Sequence, residues 1–192
     1  MPDPNPAAIA FLETRRSRPA KTLSSPVPDR TELKRLLTIA ARTPDHGKLE
    51  PWRFLVLEKP ALARLAGTLP AQGEAIGQPA EKIAKAVEEY ARAELAVVVV
   101  SSPKPSEKIP EIEQTLSAGA VCMQLLNAAL AAGWGANWLS GWASHDAGWR
   151  ESQLGLMPRE SIAGIIHIGT ETNAPPERPR PDIDAITEWI DA

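Results

Sequence analysis

Leu95-Ala96-Val97-Val98-Val99-Val100 is an apolar run dominated by β-branched side chains, with no polar residue at alternate positions. A strand with one wet face would alternate, so the run reads as a strand covered on both faces and central in its sheet. Downstream, a proline-punctuated loop from Pro103 to Pro110 leads into Glu111 to Ala132, rich in Ala, Leu and Met, with Gly133 placed as a C-terminal stop. That stretch predicts the longest helix. Its apolar residues run most of the way round, which implies burial in a core or against another subunit. Trp134 to Leu139 reads as a strand, a short helix is expected from a Ser144 cap to Leu154 with Gly155 ending it, and Ser161 to Ile168 is the last strong strand. The tail from Glu171 to Pro181 reads as extended, and Asp182 to Ile190 as a terminal helix.

Upstream of the central run, Trp52 to Leu57 reads as a strand bounded by Pro51 and Pro60, followed by helices at Pro60 to Leu69 and Pro79 to Ala93. Asn5 caps a first helix with Pro6 at its first position, and that helix should end near Arg16, with Ile9, Leu12 and the stem of Arg16 on one face. Asp29 followed by Glu32 is a capping-box pattern, and Leu33, Leu36, Leu37, Ala40 and Ala41 then fall at helical spacing until Pro44 stops them. Helices and strands are interleaved, with long arms at both ends, so the fold class is α+β. The 192 residues suit one domain, 1–192, and no internal repeat is present.

Formal net charge is −3, which does not favour binding to a polyanion, so nucleic acid is not expected as a partner. The apolar runs are too short or too interrupted to span a bilayer, and the N-terminus lacks the charge and apolar stretch of a secretory signal. A cytoplasmic protein without membrane association is the expectation. Cys122, the single cysteine, has apolar neighbours and reads as a core residue, so no intrachain disulfide or cysteine cluster is available. His46, His145 and His167 are scattered, which makes a metal site improbable. The 19 prolines cluster in the arms and loops, and stiffened arms of this kind can wrap a partner at low entropic cost.

Arg15-Arg16-Ser17, where the first helix ends, offers guanidinium forks and a hydroxyl suited to a phosphate monoester; solvated cations capping a helix C-terminus are the plainer reading. Trp134, Trp138 and Trp142 are spaced by four, as in a helical stripe, but Gly133, Gly135 and Gly141 argue against a helix there. Gly133-x-Gly135 lacks the third glycine of a dinucleotide fingerprint, and Leu139-Ser140-Gly141 lacks the leading glycine of a nucleophile elbow.

The order of segments is more specific than any one of them. Arg15-Arg16-Ser17, Ala41-Arg42-Thr43-Pro44-Asp45-His46, Glu50-Pro51-Trp52-Arg53-Phe54, the glycine-tryptophan stretch to Gly141, Ile166-His167-Ile168-Gly169-Thr170 and Arg178-Pro179-Arg180-Pro181 together resemble the FMN-dependent nitroreductase family. The nearest branch is that of the small bacterial NAD(P)H nitroreductases with a Pro-Asp-His turn. The resemblance implies a mainly antiparallel sheet flanked by helices, a long buried central helix, and an extended C-terminal arm exchanged in a homodimer.

It further implies that Arg15, Arg16 and Ser17 bind the flavin phosphate or the nearby ring edge, with Arg178 and Arg180 closing on the same phosphate. Arg42, Pro44, Asp45 and His46 would reach the flavin bound mainly by the other subunit. Trp138, Leu139, Ser140 and Gly141 would lie along the isoalloxazine ring. No side chain is expected to act as a catalytic acid or base, because the cofactor carries the chemistry. The implied activity is ping-pong electron transfer from NAD(P)H through FMN to small nitroaromatic or quinone-like acceptors. Leu139, where the branch more often has arginine, and Lys48 and Glu50, near which many members have Asn and Gln, leave other roles open: a flavin carrier or dimeric interaction protein without turnover, or a flavin enzyme of different chemistry.

Overall fold

The computed structural model describes residues 3–191, so Met1, Pro2 and Ala192 of the expected domain lie outside the described residues. Among the described residues, seven α-helices and five strands follow in the order α1 (Pro6–Thr14), β1 (Leu23–Ser24), α2 (Arg30–Ala40), β2 (Trp52–Glu58), α3 (Lys59–Ala75), α4 (Ala80–Arg92), β3 (Leu95–Ser101), α5 (Glu111–Ala131), β4 (Gly135–Leu139), α6 (Trp142–His145), α7 (Ala147–Leu154) and β5 (Ser161–Glu171). The sheet runs β1-β5-β3-β2, with β4 also paired to β5, and every pairing is antiparallel.

β3 is central and buried at every position. Its lack of alternation has a direct cause, because successive side chains feed two different cores. Leu95, Val97 and Val99 pack with Leu33 and Leu36 of α2 and with Val121, Leu125 and Ala129 of α5. Ala96, Val98 and Val100 pack on the other face with Leu62, Leu65 and Leu69 of α3, Tyr90 of α4 and Trp149 of α7. Helices therefore cover both faces of the sheet. No described helix is long and apolar enough to cross a membrane.

Local signals mostly act as expected. The Asn5 side chain accepts from the Ala8 amide, the Asp29 side chain accepts from the Glu32 amide, and Gly133 and Gly155 take positive φ values just past helix ends. Cys122 lies fully buried in α5, where desolvation pushes its thiol up to about 12. α5 is the longest helix, as predicted, but its apolar residues divide between two sides. One side is core, while Ile112, Leu116 and Met123 are exposed.

Four expectations need correction. Glu32 completes only half of a capping box, because its carboxylate accepts from the Trp134 indole at 2.8 Å. α3 does not stop at Leu69 but continues through Pro70 to Ala75, since Gly73 still packs on Ile83 and Trp142 beyond the proline. The predicted Ser144–Leu154 helix is two helices, with Asp146 rather than Ser144 capping the second through the Trp149 amide at 2.7 Å. The C-terminal segment forms only a 3-10 turn at Asp184–Ile186, and its apolar residues have no core to pack on within the chain.

Candidate functional site

After α1 the backbone turns extended and docks along the outer edge of β4. The Arg18 amide donates to Ala136 O at 2.8 Å, and the Asn137 side chain returns a bond to Arg18 O at 2.7 Å. A few residues later β1 pairs with Thr170 and Glu171 at the end of β5, and the Thr172 amide donates to Thr22 O. These ladders carry the C-terminal tail back past the end of α1. Arg15, Arg16, Ser17 and Arg180 meet for that reason, while Arg178 is joined to them only through its backbone amide.

The cluster is built around an acidic side chain. Arg16 Nη2 donates to Pro176 O at 3.0 Å, and its Nε lies 3.9 Å from Glu177 Oε1. The same oxygen accepts from Arg180 Nη2 at 2.8 Å and from the Arg178 amide at 3.0 Å. Arg15 bonds the Ser17 hydroxyl at 3.1 Å, and its pKa is lowered by burial first, then by the charges of Arg180 and Arg16. Adjacent cations with one exposed carboxylate among them leave the cluster with an excess of positive charge. Arg15 Nε and Arg16 Nε are buried donors with no hydrogen-bond partner among the described residues, a cost that an added oxyanion would remove. A concavity of about 260 Å³ adjoins them, lined by Phe11, Thr14, Arg15, Arg16, Arg18 and Glu171.

The Pro44–Glu50 turn lies elsewhere on the chain, and among the described residues no hydrogen bond or ion pair joins it to the arginine cluster. Its shape is fixed from α5 and from within: the Ser117 hydroxyl of α5 donates to Pro44 O at 3.0 Å and accepts from the Trp52 indole at 3.3 Å, while Asp45 Oδ2 accepts from the Glu50 amide at 3.1 Å. Gly47, Lys48 and Glu50 all adopt positive φ. Such backbone is costly for Lys and Glu and is held by these bonds. His46 Nδ1 sits 2.7 Å from Glu113 in the first turn of α5, and Arg42 and His46 face solvent. Ser117 and Glu113 escaped sequence reasoning, because a hydroxyl and a carboxylate in a helix have no local pattern that marks a partner some 70 residues away.

β4 divides its side chains between two environments. Trp138 lies over Gly164 of β5, where only a glycine leaves room for the indole, and it packs against the α5 core. The structure therefore does not bring the Trp138 side chain to the opposite face, where Asn137, Leu139 and Ser140 line a cavity of about 420 Å³. The opposite wall comes from α4 and from Pro19, Ala20 and Lys21. Gly141 follows as the N-cap of α6. His167 borders this cavity: it is 3% exposed, its Nε2 has no hydrogen-bond partner among the described residues, and Glu89 lies 3.9 Å away. Burial pushes the histidine down to about 4 and raises Glu89. No single-sequence signal separates this strand histidine from a packed one.

An antiparallel sheet between two helical layers, with a long central helix and chain ends joined at an arginine cluster, defines the nitroreductase-like fold. A nitroreductase-like family protein from Bacillus cereus superposes over 100% of both chains with a TM-score of 0.77 at 22% identity. An FMN complex from Desulfovibrio desulfuricans, described as a nitroreductase, matches 97% of this chain and 98% of its own with a TM-score of 0.74 at 21% identity. The chain belongs to the nitroreductase family, whose model matches residues 12–170. Among its relatives, the Escherichia coli protein named "Putative NAD(P)H nitroreductase YdjA" is 34% identical over 163 residues, covering 85% of this chain and 87% of the relative. A Haemophilus influenzae protein named in the same way is 35% identical over 164 residues, covering 85% and 88%.

Proposed function

We propose that the protein is an FMN-dependent oxidoreductase that passes electrons from NAD(P)H to small nitroaromatic or quinone-like acceptors by a ping-pong mechanism. It works in the cytoplasm as a homodimer of single-domain chains with flavin sites at the subunit interface. One observation supports the reading: Arg15 lies in the fields of Arg180 and Arg16, Arg16 and Arg180 share the Glu177 carboxylate, and two buried guanidinium Nε donors have no hydrogen-bond partner among the described residues. The relatives' names supply the electron donor of this reading, and the Desulfovibrio desulfuricans complex supplies its cofactor.

FMN, when bound, supplies two-electron transfer at its ring. Everything else falls to the protein. Arg15, Arg16, Arg178 and Arg180 grip the phosphate through charge-assisted bonds, and the Ser17 hydroxyl fixes the Arg15 fork. Leu139 and Ser140 wall the ring cavity against water, Gly141 offers its backbone, and Trp138 braces β4 from behind. Arg42, Pro44, Asp45 and His46 are presented to the flavin of the second subunit.

Dimerisation is supported by what the single chain leaves uncovered. Ile112, Leu116 and Met123 stripe the outer side of α5, and Trp189 and Ile190 in the tail are 87% and 84% exposed. Apolar groups spaced along a helix and on an extended arm are suited to burial between protomers. Stopped-flow mixing of the purified yellow protein with NADPH or NADH tests the activity. Bleaching of the flavin band is the expected result, and a colour that persists would make the protein a flavin carrier instead.

A further inference from the structure

The Pro44–Glu50 turn is held at three points by the start of α5. Ile109, Glu113 and Ser117 follow one another at intervals of four, and each meets the turn. The Ser117 hydroxyl donates to Pro44 O, the Glu113 carboxylate lies 2.7 Å from His46 Nδ1, and a Cβ at Gly47 would run into the Ile109 side chain. Lys48 and Glu50 are the only non-glycine residues of positive φ among the described residues. Backbone of that kind persists where its surroundings over-determine it, and such sites cluster where a side chain has a task. From His46 to Lys48 the turn is exposed, so its strain does not serve the core. A strained turn that buries nothing and is fastened to a distant helix is built to present a side chain, and the side chain it presents with a partner is His46.

Among the described residues His46 bonds only through Nδ1. A carboxylate accepts and does not donate, so Nδ1 keeps its proton toward Glu113 and the neutral ring keeps its lone pair on Nε2. When the ring takes a second proton, Nε2 becomes a directed acid whose counter-charge is already in place. Glu113 is flanked on α5 by Ile112 and Leu116, both exposed and both in the stripe assigned above to the dimer contact. The imidazole therefore stands at the edge of the face that meets the second subunit.

We propose that Glu113 is a positioning residue that fixes the tautomer and direction of His46, and that His46 delivers a proton from Nε2 to a quinone-type acceptor at the flavin of the partner subunit. This rests on the FMN reading above. Reduction of a quinone to its hydroquinone takes two electrons and two protons. The cofactor supplies a hydride, which carries both electrons and one proton. The other proton leaves His46, whose Nε2–H bond breaks as an O–H bond forms on the quinone oxygen, and water then returns a proton to the ring. The Nδ1–H bond to Glu113 is kept throughout.

Two measurements on the purified protein test this. Nitrogen-15 NMR of the imidazoles, at a pH where all are neutral and with His46→Gln assigning the signal, should find the His46 proton on Nδ1 in wild type and in Glu113→Gln, which keeps an acceptor oxygen. In Glu113→Ala it should move to Nε2. Turnover with a quinone is then compared with turnover with ferricyanide, which takes electrons without a proton. His46→Gln should lose about a hundredfold or more with the quinone, the ordinary share of a positioned acid, and far less with ferricyanide. Glu113→Ala should lose at least about tenfold in the same comparison, because the ring is no longer held in one tautomer, and Glu113→Gln should recover part of it. A His46 proton on the same nitrogen in wild type and Glu113→Ala, or equal losses with both acceptors, overturns the assignment and leaves the FMN reading standing. A wild-type protein that reduces neither acceptor overturns both.

Discussion

Arg16 Nε lies 3.9 Å from the carboxylate of Glu177, so the residue that follows α1 is tied to a tail that has passed through the whole sheet in between. The pair joins the two ends of the chain at the point where an anion is expected. Glu177 bonds Arg180 as well, and its pKa is lowered first by the Arg178 amide and then by Arg180 and Arg16.

Replacing Arg15 or Arg16 with alanine should weaken FMN binding about 10-fold to 200-fold, since each charge-assisted bond contributes about 1.5–3 kcal/mol. Riboflavin, which has no phosphate, should bind wild type and variants alike. Fluorescence titration measures both, and equal losses for the two ligands would contradict the phosphate role.

Glu177→Gln should act in the opposite direction. The carboxylate occupies guanidinium donors that a phosphate would use, and two anions at one position repel. FMN affinity should rise in the variant, and a fall in the same titration would mean that Glu177 organises the arginines instead of competing for them.

Acid should destabilise the fold in two successive windows. His167 is held neutral by burial with its pKa down to about 4, so below its ordinary value of 6.5 the unfolded chain binds a proton that the folded chain does not. Stability falls from there to about 4. Glu160 is held down to about 2, chiefly by Arg53, whose Nε and Nη2 donate to it at 2.7 and 2.6 Å. Its contribution is complete above its ordinary 4.5 and is lost as pH falls through about 2. Glu160→Gln should cost about 2 kcal/mol at pH 7 and flatten only the lower window. Thermal melts at stepped pH values resolve the two.

Gly164→Ala should cost about 1–3 kcal/mol, because the new methyl group meets the Trp138 indole, which packs against the α5 core. A change in near-ultraviolet circular dichroism from the displaced tryptophan should accompany the loss. A variant with wild-type stability and spectrum would show that the indole is free to move aside.

Leu116→Glu on the exposed side of α5 should leave a folded chain that fails to dimerise, since the residue is 65% exposed in one protomer and contributes nothing to its core. Sedimentation should report a monomer, and FMN retention should fall with it. An intact dimer would move the interface elsewhere.

Much of the architecture was legible because it rests on local physics. The unalternating run Leu95–Val100 predicted a strand between two layers, Asn5, Asp29, Gly133 and Gly155 marked helix ends, and the length of α5 followed from its composition. Each of these depends on neighbours within a turn or two. The order of short motifs also identified the family.

What the sequence by itself determined is therefore the set of elements and the chemistry available to them. Tertiary structure alone decided which residues share a site. Nothing local to Arg16 specifies that Pro176 and Glu177 lie beside it, because that contact is made by β1 pairing with the end of β5. Likewise, the alternation along β4 sent Trp138 into the core and Leu139 to the cavity, and register with β5 set His167 opposite Asn137 and near Glu89 of α4. Spacing along a chain records what one element can do, whereas a pocket is formed by several elements, whose meeting depends on hydrogen-bond register and on burial shared among distant segments.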